Sequence, residues 1–228
     1  MLRYLPLLLL LFANPQAAGE PLRVAVAANF RATLEQINRE FSATSGQRIL
    51  LSSASTGVLA TQVRHGAPFH LLLAADVAAP AGLSDRGLAP PFCYAVGRLA
   101  LVGGATTDLA DPSNSVAIAN PRTAPYGRAA LQVLERTAFA AGAQRKLVRG
   151  NNVVQAYQFW HSGAVDLALV ALSQAGTAAL AIPTDWHSPL EQHALALKPH
   201  PALDAYLNWL RSDTVRSLIL DAGYHTCL

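Results

Sequence analysis

Hydroxyl and carboxamide side chains, rather than acids or thiols, are the groups whose spacing in this chain suits chemistry. Ser52, Ser53, Ser55 and Thr56 crowd hydroxyls into one turn directly after the apolar run Ile49-Leu50-Leu51. Val58, Leu59 and Val63 then recur at helical spacing until Gly66, so the segment reads as a strand, a polar turn and a helix with a glycine stop. The first N–H groups of such a helix have no partner inside it and lie at the positive end of its dipole. An anion fits there without any lysine or arginine. For one isolated turn, an N-cap role for Ser55 or Thr56 is the plainer reading. Three further turns of the same build change the balance: Ala28-Asn29, Pro125-Tyr126-Gly127 and Asn152-Val153, each opening a helix after a strand or turn. Together they describe a site made of neutral donors.

The other chemistries find little support. Seven histidines are present, yet none stands in an HxxxH or HExxH arrangement, and His65 and His70 are separated by a Gly-Ala-Pro turn. Ser55 lies near a strand-to-helix turn but lacks the preceding glycine of a GxSxG elbow, and no motif marks a partner histidine. No GxGxxG or phosphate-binding loop occurs, so a nucleotide cofactor is not indicated. The net charge of +3 comes from Lys and Arg scattered singly, which points away from nucleic acid. Cys93 and Cys227 are too isolated for a metal site. A disulfide between them stays open, because sequence cannot show whether their Cα atoms approach within about 7 Å.

The elements that must position the four turns alternate between strand and helix. LRVAVA at 22–27 is a strand, and Phe30, Leu34, Ile37 and Phe41 form one apolar stripe on the following helix, with Asn29 as its expected N-cap. A third strand is expected from His70 to Ala74, with Asp76 at its exit, and a short helix follows within 80–87. CYAVGRLALV at 93–102 reads as one longer strand that leaves one lobe and enters another. SVAIA at 115–119, a brief strand at 146–149 and DLALVAL at 166–172 alternate with helices that carry Ala130, Val133 and Leu134, then Val153, Tyr157 and Trp160. QHALAL at 192–197 looks like a return crossing, and two amphipathic helices between 201 and 223 should cover a lobe. Strand-helix alternation on both sides of 93–102 argues for two α/β lobes, with ligand turns at the carboxyl ends of the strands.

The chain opens with MLRYLPLLLLLFANPQAAGEP: one basic residue, an apolar run, then small residues before Glu20. This is the pattern of a cleavable secretory leader, and its apolar run is too short to span a membrane. At 52% hydrophobic and 14% charged residues over the full sequence, the chain after the leader is expected to fold as a compact exported globule.

VAVAANF, the STG turn with LATQVRHGAP and LLLAAD, IANPRTAPYGRAA, GNNVVQAYQFWHSGAVDLALVALSQ and AYLNWLRSDTVRSLILDAGY together resemble the periplasmic molybdate-binding proteins of ABC transporters. The resemblance covers nearly the whole chain after the leader. It implies a two-lobe α/β binding-protein fold with a ligand cleft between lobes: leader 1–19, lobe 1 at 20–97 plus 196–228, lobe 2 at 98–195. It also implies a tetrahedral molybdate or tungstate dianion held by hydroxyls and backbone amides, no cofactor, no bare metal cation, no enzymatic activity, a monomeric periplasmic protein, and delivery to a membrane permease. By position, Asn29 matches the first-loop ligand site, with the amide of Ala28 beside it, and Thr56 or adjacent Ser55 matches the second-loop hydroxyl. Tyr126 and Val153 match the remaining contacts, Val153 through its backbone N–H. Some relatives have a tyrosine where this chain has Ala171, so Tyr126 is expected to supply the phenol. His70 stands where relatives usually have Asp. A binder of sulfate, phosphate or another oxyanion, or a periplasmic enzyme on a similar scaffold, are the competing readings.

Overall fold

A computed structural model describes residues 19–227, so the leader expected at 1–19 lies, but for Gly19, outside the described residues. In chain order the elements are β1 (Leu22–Ala27), α1 (Arg31–Ser45), β2 (Ile49–Ala54), α2 (Thr56–Arg64), β3 (Leu71–Leu73), α3 (Ala78–Ala81), β4 (Phe92–Gly97) and β5 (Leu99–Val102). There follow β6 (Val116–Ala119), α4 (Pro125–Leu134), β7 (Leu147–Gly150), α5 (Val153–His161), β8 (Leu167–Ala171), α6 (Leu172–Ala175), β9 (Leu180–Ala181), β10 (Leu190–Ala196), α7 (Leu203–Leu210) and α8 (Asp213–Asp221).

The strands form two five-stranded sheets built on one plan. In the first, β1 lies between β2 and β3 with all three parallel, and β10 runs antiparallel beside β3 and then β4. In the second, β6 takes the central place between parallel β7 and β8, and β5 runs antiparallel beside β8 with β9 at the edge. β5, β6 and β8 are buried along their whole lengths. Helices on both faces account for that, and for their nearly continuous apolar sequences. Leu34, Ile37 and Phe41 of α1 share one core cluster with Tyr206, Leu210, Val215 and Ile219 of α7 and α8. Leu59 and Val63 of α2 pack with Leu72 and Leu195 on the other face of the same sheet. The two C-terminal helices therefore cover the first lobe, as their apolar stripes predicted.

Three features depart from the expectations of sequence. The expected strand at 93–102 is two strands, because Arg98 separates β4, which belongs to the first sheet, from β5, which belongs to the second. The expected lobe boundary at 195/196 falls inside β10, all of which pairs within the first sheet; the second crossing therefore lies between β9 and β10. Asn29 is not an N-cap: Ala28–Phe30 form a single 3-10 turn, α1 begins at Arg31, and no side chain caps it. Distant partners engage the Asn29 carboxamide, and a tertiary hydrogen bond replaces the local cap. The open question about the cysteines is settled by a Cys93–Cys227 disulfide with Cα atoms 6.0 Å apart, tying the C-terminal segment to β4.

Candidate functional site

Strand register brings the turns together. Ala27 of β1 is paired with Ala54 of β2, so the residues that follow, Ala28 and Ser55, leave the first sheet side by side. In the second sheet Ala119 of β6 is paired with Gly150 of β7, and the segments beyond them lead into α4 and α5. The two sheet edges face one another. Ala28, Asn29, Ser55, Thr56, Tyr126 and Val153, all six residues picked from sequence, line one small cavity. Ala27 and Ala75 complete the wall on the first lobe, and Ala124, Pro125 and Asn152 complete it on the second.

Among the described residues, none that lines the cavity carries a formal charge, and the one titratable group there, the Tyr126 phenol, is pushed well above its ordinary value by burial and then by the neighbouring Tyr224. The polarity comes from hydroxyls and main-chain N–H groups. Ser55 occupies the N-cap position of α2 with extended backbone, yet its side chain makes no capping bond. Its Oγ is buried with no hydrogen-bond partner. Thr56 Oγ1 accepts the N–H of Ala75 at 2.9 Å, which leaves its own proton to donate elsewhere. The first-turn N–H groups of α2, α4 and α5 add donors at the positive ends of three helices. Pro125 at the first position of α4 has no N–H to lose and pre-sets the helical φ. Asn152 caps α5 by accepting the Gln155 N–H at 3.0 Å, and Gln155 Oε1 in return accepts the Asn151 N–H at 2.6 Å. That reciprocal pair orients the turn that carries Val153.

Two of these side chains engage their polar ends with residues outside the cavity lining. Asn29 Nδ2 donates to Gln192 Oε1 at 2.9 Å and to Tyr224 Oη at 3.3 Å, and neither partner lines the cavity. Tyr224 Oη donates in turn to the Asn29 carbonyl at 2.7 Å. With both amide protons engaged, the main-chain N–H is what Asn29 has left to offer. The Tyr126 hydroxyl lies 3.5 Å from Gln192 Nε2, on the side of the lobe crossing at Gly97. Gln192 and Tyr224, both buried, and the half-buried Tyr94 thus form a polar layer behind the site that sequence reasoning missed. The signal for Gln192 was present: it falls in the buried phase of β10, with Leu190 and Ala194 as its same-face neighbours. Tyr94 and Tyr224 gave no comparable signal, since a tyrosine among apolar residues is ordinary core.

The lobes also meet directly beside the cavity. The Gly57 N–H donates to the Thr123 carbonyl at 2.8 Å, and Arg128 Nη2 lies 2.6 Å from Asp76 Oδ2. Asp76 Oδ1 accepts the Ala79 N–H at 2.9 Å, which holds the carboxylate in place. Residues 22–225 match the family model described as bacterial extracellular solute-binding protein. The molybdate-binding protein ModA of Azotobacter vinelandii is 36% identical over 91% of this chain and 91% of its own length.

The chain belongs to the bacterial extracellular solute-binding proteins, in the ModA family.

A second member, the molybdate-binding protein ModA of Rhodobacter capsulatus, is 34% identical over 94% of this chain and 91% of its own length. The solved periplasmic molybdate-binding protein of A. vinelandii superposes with a TM-score of 0.84 at 31% identity, covering 91% of this chain and 100% of that one. Membership in the family agrees with the two-sheet plan and the placement of the cavity between the sheets.

Proposed function

We propose that this protein captures molybdate or tungstate in the periplasm and delivers it to an ABC-transporter permease, without catalysing a reaction. The observation that carries the reading is the neutral cavity into which four strand-to-helix turns converge, with the partnerless Ser55 hydroxyl on its wall. A buried donor without an acceptor is costly, and an oxyanion oxygen supplies that acceptor through a charge-assisted bond. The names and coverage of the ModA relatives select molybdate among the oxyanions, and the leader-like segment at the N-terminus supports export. Ala28, Asn29, Tyr126 and Val153 serve through main-chain N–H groups, and Ser55 and Thr56 through their hydroxyls.

The same geometry ranks the competing anions. Among the described residues no carboxylate lines the cavity, so the proton of hydrogen phosphate meets no strong acceptor and binding loses a hydrogen bond. Sulfate shares charge and shape with molybdate but is smaller, so in this reading cavity size is what discriminates between the two. Calorimetric titration of the mature protein with molybdate, tungstate, sulfate and phosphate tests the reading. One-to-one binding of molybdate or tungstate, far tighter than sulfate or phosphate, is the expected result. Equal affinity for sulfate overturns the selectivity, and turnover of a substrate without a transporter overturns the assignment as a carrier.

A further inference from the structure

We propose that Gln192 is a positioning residue of the anion site, joining the two lobes behind the cavity when the cleft is closed. The proposal rests on the molybdate-binding function proposed above. Gln192 is fully buried on β10, at the point where the pairing of β10 with β4 shifts register. Its carboxamide is divided between the lobes. Oε1 accepts from Asn29 Nδ2 and from Tyr94 Oη, each at 2.9 Å and each from the first lobe. Nε2 reaches the Tyr126 hydroxyl at 3.5 Å, on the first turn of α4 in the second lobe. Gly97, the last residue of β4 before the crossing, pairs with Leu190 at the start of β10. A Cβ at Gly97 would collide with the Tyr126 hydroxyl and lie 2.8 Å from Gln192 Nε2, so the missing side chain is what lets the two polar groups converge at the crossing.

Closure of the cleft acts on these bonds unequally. Asn29 and Tyr94 travel with Gln192 because they belong to the same lobe, so their bonds persist whatever the cleft does. Only the contact with Tyr126 crosses between lobes, and parting the lobes leaves the Gln192 amide without it. The contact therefore favours the closed state alone, and its loss speeds ligand release rather than slowing capture. A glutamate would keep both acceptor bonds and, ionised, would accept the Tyr126 O–H, so it would retain a contact across the lobes while placing a negative charge behind an anion site.

The test is a double-mutant cycle on the mature, disulfide-bonded protein, with molybdate binding followed by calorimetry and stopped-flow intrinsic fluorescence. Gln192→Leu and Tyr126→Phe are each expected to weaken binding by about tenfold, the change lying in the dissociation rate. The double variant is expected to be no weaker than the weaker single variant, because one shared contact is being removed twice. A merely structural role for Gln192 would lower the melting temperature and give losses that multiply. Multiplying losses, or Gln192→Leu binding as tightly as the wild type, overturn the positioning role while leaving the proposed function in place. A wild-type protein that fails to bind molybdate overturns both. If Gln192→Leu does not fold, Gln192→Met, which also removes the amide, replaces it in the cycle, with the same non-additivity expected and additivity overturning the proposal.

Discussion

Ser55 shows how a residue's chemistry is decided by what surrounds it. Its position at the start of α2 suits an N-cap, and its hydroxyl makes no such bond. Ser55→Ala is therefore expected to leave the melting temperature of the ligand-free protein unchanged or slightly raised, since a buried partnerless hydroxyl is lost. A capping hydroxyl would instead cost about 1 kcal/mol on removal. Molybdate affinity should fall by roughly 10- to 150-fold, the equivalent of one bond of about 1.5–3 kcal/mol to a charged acceptor. Calorimetry and thermal melting of the same variant separate the two roles. His70 holds the backbone at the start of the first sheet, where its Nδ1 accepts the Arg23 N–H at 2.9 Å. Burial, and next the adjacent His200, lower its pKa from 6.5; Arg23 and Lys198 act in the same sense, and Glu20 opposes them. The unfolded chain takes up a proton first, so stability is complete above about pH 6.5 and declines as pH falls below it. Urea denaturation at pH 7.5 and pH 5 should show a larger acid loss for the wild type than for His70→Asn, and equal losses would clear His70 of the effect.

Helices and strands were largely legible because their patterns are local. The stripe on α1, Pro125 at the start of α4 and the buried runs of β6 and β8 all stand where spacing placed them. The turns between them are where contacts with distant segments take over. Asn29 lost its expected capping role to Gln192 and Tyr224, which are remote in sequence. Gly57 is a second case: within α2 a glycine is a weak helix former, but a Cβ there would sit 3.0 Å from the Thr123 carbonyl of the other lobe. Gly57→Ala should stabilise the ligand-free protein by up to about 1 kcal/mol through helix propensity. The same methyl obstructs the approach to Thr123, so molybdate should dissociate several-fold faster. Stopped-flow release with a parallel melt checks both signs, and a release rate equal to wild type removes the Gly57–Thr123 contact from closure.

For the molecule as a whole, the disulfide links the folding of the chain to the geometry of the site. Cys93 and Cys227 are 134 residues apart, and Cys227 anchors the segment whose Tyr224 holds the Asn29 main chain. Closing so long a loop stabilises the fold by roughly 4–5 kcal/mol in the chain-entropy account. Cys93→Ala with Cys227→Ala is expected to lower the denaturation midpoint accordingly. The same variant should bind molybdate more weakly at temperatures where it is fully folded, because the segment carrying Tyr224 is then held to β4 by the His225–Val96 bridge without the disulfide. Unchanged affinity in the folded double variant would confine the disulfide to stability.

The amino-acid sequence alone determined the α/β class, the two-lobe plan, the neutral character of the site and the six residues that meet at the cavity. Each depends on short-range periodicity, on turn chemistry or on the resemblance of contiguous blocks. Tertiary structure decided the rest: the break at Arg98, the assignment of β10 to the first sheet, the disulfide, and the turning of the Asn29 and Tyr126 side chains toward Gln192. The physical reason is that a buried polar group must find a partner somewhere, and which distant group arrives is a property of the packed molecule rather than of its neighbours in the chain.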